Sequence, residues 1–262
     1  MLFDSHAHIN DEKFDEDREE IIQHLRDSKI DLIVNPGADM PSSRSAVELA
    51  NKVDFIYAAV GVHPHDVENM TETDIEELKE MVKNNDKVVA IGEIGLDYYY
   101  DLSPRELQKK WFIRQIELAN ELGVPFIVHD RDAHGDTFEI IKKYKNPETA
   151  CVLHCYSGSI DLAKEYIKMG CYISIPGTVT FKNNKKTVEV AEKIPLEWMF
   201  IETDSPYLTP VPFRGKRNDP SKVKYVAEKI AEIRNISYEE VCRVTKENAK
   251  KFFKIDSKDT VN

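Results

Sequence analysis

Short runs rich in valine, isoleucine and phenylalanine alternate along the chain with longer runs in which apolar side chains recur every three or four positions. The first kind covers approximately residues 2–9, 31–36, 55–62, 88–94, 125–130, 150–156, 171–176 and 198–203, and reads as eight strands. Helical patterns lie between them over residues 19–27, 42–52, 74–84, 105–122, 137–144, 162–169, 187–193 and 222–234, and a further helix near residues 238–253 closes the chain. Several borders carry punctuation. Ser103 and Pro104 predict the start of the fourth helix, with serine as cap and proline in its first turn, and Gly123 and Gly170 predict two helix ends. Strands alternating with helices imply a parallel sheet with crossover helices, and eight such units favour closure. The expected fold is therefore an α/β TIM (β/α)8 barrel with an additional C-terminal helix lying on its bottom or side. A barrel takes about 250 residues, and no linker or low-complexity stretch divides this one, so residues 1–262 read as a single domain.

The ends of the apolar runs carry the candidate chemistry. His6, His8, Glu93, His129, His154 and Asp204 fall where a barrel of this type places its reactive groups, at the C-terminal ends of strands. His6 and His8 are two positions apart and point to one side of an extended segment, with Cα atoms roughly 7 Å apart. Four imidazoles and two carboxylates suit zinc, manganese or a similar divalent ion and exceed what one tetrahedral site takes from protein. Two cations sharing a carboxylate are the economical account, and Glu93 is the best bridge because each of its oxygens can bind one ion. The bland alternative for any one of these residues, a satisfied core histidine or a salt-bridged carboxylate, weakens when all six are taken together.

Composition narrows the class further. The net charge is −11, with 41% hydrophobic and 32% charged residues, which argues against broad electrostatic capture of nucleic acid but not against a local basic patch. Two such patches stand out: Arg214, Lys216 and Arg217, and Lys182, Lys185 and Lys186. Loops after the last barrel strands commonly hold phosphate, so Arg214 and Lys216 are candidate substrate contacts. Four cysteines occur without a Cys-x-x-Cys pair and read as reduced thiols. Cys151 and Cys155 have the opposite parity to His154 and are expected to face the surrounding helices, which makes a thiol nucleophile improbable. No export signal or bilayer-length apolar stretch is apparent, so a cytoplasmic protein without membrane association is expected. No obligate protein partner is evident.

The strings FDSHAHIN (3–10), GVHPH (61–65), GEIGLDYYY (92–100), IVHDRDA (127–133), HCYSG (154–158) and ETDSPYLTPVPFRGKRNDP (202–220) resemble the TatD family of metal-dependent hydrolases. They run in the family's order over essentially the whole chain, and Tyr156 stands where the family often has phenylalanine. The resemblance implies a TIM-barrel fold in the amidohydrolase-like superfamily. It implies metal-ligand roles for His6, His8, Glu93, His129, His154 and Asp204. It further implies a deoxyribonuclease acting 3′ to 5′ on single-stranded DNA or frayed DNA ends, with relatives linked to DNA repair.

Chemistry suggests how the residues would act. One ion held by His6, His8 and Glu93, with Asp204 nearby, and a second held by Glu93, His129 and His154, would generate a bridging hydroxide for attack on a phosphodiester. Glu93 and Asp204 are thus the expected catalytic pair, with two divalent ions (Zn, Mg or Mn) per chain and Asp204 free to act as ligand or proton acceptor. His63 and His65 flank Pro64 and are expected to contact substrate. Glu202 is expected one layer below Asp204, orienting a ligand histidine, and Asp4 has the same relation to His6. Tyr98, Tyr99 and Tyr100 are placed to stack on bases or to cover the rim. His24 and His134 receive no role. Two other readings stay open. One is ester or amide hydrolysis, such as removal of a D-amino acid from tRNA; the other is a non-catalytic binding protein whose metals only brace the barrel.

Overall fold

In the computed structural model, which describes residues 1–255, the eight apolar runs form one parallel sheet in which each strand pairs with its sequence neighbours in the order β1 to β8. The strands are β1 (Leu2–Asp4), β2 (Ile30–Pro36), β3 (Ile56–Val60), β4 (Val88–Asp97), β5 (Phe126–Arg131), β6 (Cys151–Leu153), β7 (Cys171–Ile175) and β8 (Met199–Ile201). The sheet closes on itself just beyond the ends of β1 and β8. Ser5 N–H donates to the Ile201 carbonyl at 3.2 Å, His8 N–H to Ser205 at 2.8 Å, and Asp204 N–H to His6 at 2.9 Å. The predicted TIM barrel is the observed fold. Residues 256–262, the end of the predicted single domain, lie outside the described residues.

Nine helices are present among the described residues: α1 (Arg18–Asp27), α2 (Met40–Lys52), α3 (Glu72–Asn84), α4 (Arg105–Leu122), α5 (His134–Tyr144), α6 (Ile160–Lys168), α7 (Lys185–Lys193), α8 (Val223–Arg234) and α9 (Tyr238–Phe252). Local chemistry sets many borders. Asp39 and Ser42 form a reciprocal capping box on α2, and Ser159 and Ser237 accept from the first-turn N–H groups of α6 and α9. Gly123 ends α4 in the left-handed conformation, as predicted. The predicted Ser103 cap is not formed. Its hydroxyl donates instead to the His65 carbonyl at 2.7 Å, tying the start of α4 to the loop after β3.

Two apolar layers result. The outer one fills the space between strands and helices, with Ile33, Leu78, Phe112 and Ile173 fully buried. The inner one fills the lower barrel with Phe3, Leu32, Tyr57, Ile127, Val152, Tyr172 and Phe200. The last turn of α9 closes this inner layer: Phe253 stacks on Phe3 with ring centroids 5.9 Å apart, and Phe252 meets Phe200 edge-on at 5.2 Å. The expected covering role of the last helix is thus a plug on the barrel bottom. The strands end early at the other face. The predicted runs 2–9, 150–156 and 198–203 shrink to three residues each, so His6, His8, His154 and Asp204 project from loops. Among the described residues, no helix is long and apolar enough to cross a membrane.

Candidate metal centre

All six predicted donors meet at the C-terminal face of the barrel, where five of them line a cavity of about 710 Å³ and the sixth, His6, is fully buried. Glu93 is its centre. Its Oε2 lies 3.3 Å from His6 Nε2 and 3.7 Å from His8 Nε2, while its Oε1 lies 2.9 Å from both His129 Nδ1 and His154 Nε2. Asp204 Oδ1 stands 3.6 Å from His8 Nε2 and 3.8 Å from His6 Nε2. The two Nε2 atoms of His6 and His8 are themselves 3.2 Å apart. Bonds of 2.0–2.1 Å to a tetrahedral ion set donor separations of roughly 3.3–3.4 Å. Donor atoms packed at such edge lengths fit a divalent cation, which would satisfy imidazole nitrogens that otherwise face one another.

Backbone features aim these side chains. β4 runs on past the predicted limit of residue 94 to Asp97, and Gly95 pairs there with His129 of β5. A Cβ at Gly95 would stand 1.9 Å from the His129 carbonyl oxygen, and the residue's φ is +148°. Only glycine permits the approach that holds His129 against Glu93. Asp204 adopts φ +53° and Cys155 φ +45°, left-handed conformations that cost a side-chain-bearing residue about 1–2 kcal/mol. Such strain persists where surrounding contacts over-determine the loop.

Electrostatics divide the imidazoles. Burial drives His63 down to about 4, and burial with the neighbouring His154 lowers His6. Burial also opposes the charged forms of His8, His129 and His154, but nearby carboxylates outweigh it and raise all three. Those carboxylates are Asp204 and Glu93 for His8, Asp97 and Glu93 for His129, and Glu93 and Glu202 for His154. Glu93 and Asp204 are pulled below the ordinary carboxylate range despite burial by the same histidines, so both are ionised.

The other predicted residues separate into those that join this centre and those that do not. His63 Nε2 points at Glu93 Oε1 at 3.5 Å and groups with Glu93 and His129 as a donor set, which makes it a seventh candidate ligand as well as a candidate substrate contact. His65 turns its Nε2 to Asp97 Oδ2 at 2.8 Å. Glu202 is fully buried behind His154, with Oε1 3.4 Å from Nδ1, and accepts from Cys155 N–H and the Ser174 hydroxyl at 2.5 and 2.6 Å. It also falls with His6 and His154 in a third donor group. Asp4 differs from expectation: it accepts from the backbone N–H groups of His6 and Thr203 and from the Thr203 hydroxyl, and does not touch the His6 ring. It fastens the barrel seam, with burial lifting its carboxyl to about 8. Cys155 lines the cavity and does not face the helices, because β6 ends at Leu153 and strand parity no longer applies. Burial keeps its thiol protonated. Arg214 and Lys216 lie outside the donor cavity, along adjoining grooves.

One participant was missed by reading the sequence. Asp97 accepts at Oδ2 from both His65 and His129 Nε2, the latter at 3.1 Å, while its Oδ1 accepts from the N–H groups of Tyr99 and Tyr100. An ionised carboxylate only accepts, so Nε2 of His129 carries its hydrogen and Nδ1 is left to face Glu93 and a cation. A signal existed, since Asp97 is four residues from Glu93 and an unbroken strand points both the same way.

A barrel with carboxylates and imidazoles converging at its C-terminal face defines a metal-dependent hydrolase. The model of the TatD related DNase family matches residues 3–254, and the chain belongs to that family. An uncharacterized metal-dependent hydrolase of Bacillus subtilis, YabD, is 49% identical over 98% of this chain and 100% of its own length. Another from Escherichia coli K12, YcfH, is 35% identical over 98% and 97%. The crystal structure of YJJV, a TatD homologue from E. coli K12, superposes with a TM-score of 0.91 at 29% identity, covering 97% of this chain and 98% of that one.

Proposed function

We propose that this hydrolase is a deoxyribonuclease that removes nucleotides from the 3′ end of single-stranded DNA, using two divalent cations. The observation that carries the reading is Glu93, whose two oxygens address two separate donor sets, Oε2 toward His6 and His8 and Oε1 toward His129 and His154. When bound, a cation pair supplies Lewis acidity to the attacking and leaving oxygens of a phosphodiester. His6, His8 and Asp204 would hold one ion, His129 and His154 the other, with Glu93 between them. Asp204, ionised and at the cavity wall, is placed to accept a proton from the attacking water. His63 is placed at the same wall, largely neutral, to meet a phosphate oxygen or complete the second donor set. Asp97 and Glu202 keep His129 and His154 aimed while substrate exchanges.

The test is hydrolysis of a 5′-labelled single-stranded oligonucleotide in Mg²⁺, Mn²⁺ or chelator, with Glu93→Ala and Asp204→Ala beside the wild type. The expected result is a metal-dependent ladder shortening from the 3′ end and abolished in both variants. Intact DNA under every cation, with release of the amino acid from a D-aminoacyl-tRNA, would replace the phosphodiester reading with a carbonyl-ester one.

A further inference from the structure

Many cations of this acidic chain are engaged by carboxylates, yet several at or beside the donor cavity are not. Lys13, Lys182, Arg214 and Lys216 have no carboxylate partner among the described residues, whereas their neighbour Arg217 is paired with Asp17. They line two grooves, of about 590 and 680 Å³, which share Phe181 and Arg214. Both grooves run into the donor cavity. Thr178 and Asn184 are common to the cavity and the first groove, and Tyr207 and Leu208 to the cavity and the second. Aromatic rings are interleaved with the charges: the Arg214 guanidinium lies 4.3 Å over the Phe181 ring, and Lys13 Nζ lies 4.0 Å over Tyr207, which is 43% exposed.

We propose that this joined groove is a binding track for single-stranded polynucleotide, seating the nucleotides on the 5′ side of a chain end that reaches the donor cavity. The assignment of the 5′ side rests on the 3′-end nuclease reading; the track itself does not. Unpaired cations that follow one path suit successive phosphates, and rings carrying guanidinium or ammonium groups suit bases of any sequence, because every base offers a flat face. Another cation-over-ring pairing, Arg131 over Tyr99 and Tyr100, offers a single cation in a cavity that Asp66, Asp97 and Asp130 also line, against four unpaired cations along the two grooves. A local basic track also explains how a protein of net charge −11 engages a polyanion without a generally basic surface.

The test is fluorescence anisotropy of a 5′-fluorescein ten-nucleotide phosphorothioate oligothymidylate, titrated with the full chain over a range of salt. Arg214→Ala/Lys216→Ala is expected to weaken binding at least tenfold and to reduce the slope of log K against log salt by about 1.4, the release expected for two single-strand phosphate contacts. Phe181→Ala is expected to weaken binding about 5- to 150-fold, the range for one stacked base, with the salt slope unchanged. Lys164→Ala, on the exposed face of α6 and outside both grooves, serves as the control and should bind as wild type. Groove variants that bind as wild type, or a control that weakens equally, would overturn the track. If wild type fails to cut the phosphodiester oligonucleotide while the groove variants lose binding as described, the nuclease reading falls and the track stands. If wild type cuts and the groove variants bind undiminished, the track falls and the nuclease reading stands.

Discussion

A single carboxylate sets the orientation of two histidines at the cavity wall. Asp97 is buried, and the hydrogen bonds it receives from His129, Tyr100 N–H and His65 overcome the effect of burial and hold its carboxyl far below the usual range. Its charge fixes Nε2 of His129 as the protonated nitrogen and turns Nδ1 toward Glu93. Carboxylates that hold a ligand histidine in this way typically contribute 10- to 100-fold in metal affinity. Asp97→Ala should therefore lower affinity for Mn²⁺ by about that factor. It should also destabilise the fold by about 1–3 kcal/mol, because the Tyr99 and Tyr100 N–H groups lose their acceptor. Isothermal titration against Mn²⁺ and chemical denaturation check the two effects separately, and unchanged Mn²⁺ affinity would remove Asp97 from the centre.

At the scale of elements, what was legible in the sequence followed from periodicity, and what was not followed from loops. Eight strands and nine helices are readable because buried strands need apolar runs and amphipathic helices need a stripe, wherever they sit in the fold. The donors were readable because ligand chemistry restricts them to few residue types and the barrel puts strand ends together. Side-chain direction beyond a strand end was not. Cys155 and Asp4 were assigned by parity, and parity lapses once the chain leaves the sheet at Leu153 and Asp4. The predicted run stops at residue 94, but Gly95 lets β4 continue to Asp97 by close approach to His129. The closing helix shows the opposite case, in which an element is clear and its docking is not. Periodicity defines α9, but only the fold shows that Phe252 and Phe253 seal the barrel bottom. Phe252→Ala removes a ring that is 3% exposed, and a cavity of this kind costs about 3–5 kcal/mol. In a chain of this size the thermal midpoint should fall by roughly 6–20 °C. Mn²⁺ affinity at the far face should hold, and its loss in the folded variant would show that the plug shapes the centre.

The molecule as a whole separates its stability from its chemistry: apolar rings close one end of the barrel, and ionisable groups from six strand ends crowd the other. Crowding makes the protonation of the metal-free centre a shared property, because adjacent imidazoles cannot all be charged. The carboxylates raise His8, His129 and His154 above the ordinary imidazole value, while burial lowers His6 and His63. Raised groups hold protons near neutral pH, and a cation can use those nitrogens only after displacing them. The sign follows: falling pH adds protons to the donors and weakens cation binding, and rising pH strengthens it, about tenfold per unit for each proton displaced. His63, held by burial at about 4, contributes nothing to this dependence above pH 6, and His6 is lowered by burial, so the protons released should come chiefly from the three raised histidines. Titration with Mn²⁺ between pH 6 and pH 8, in buffers of differing ionisation enthalpy, counts them directly. An affinity that stays flat across that range would mean that the imidazoles are already neutral and that the carboxylates do not govern the centre.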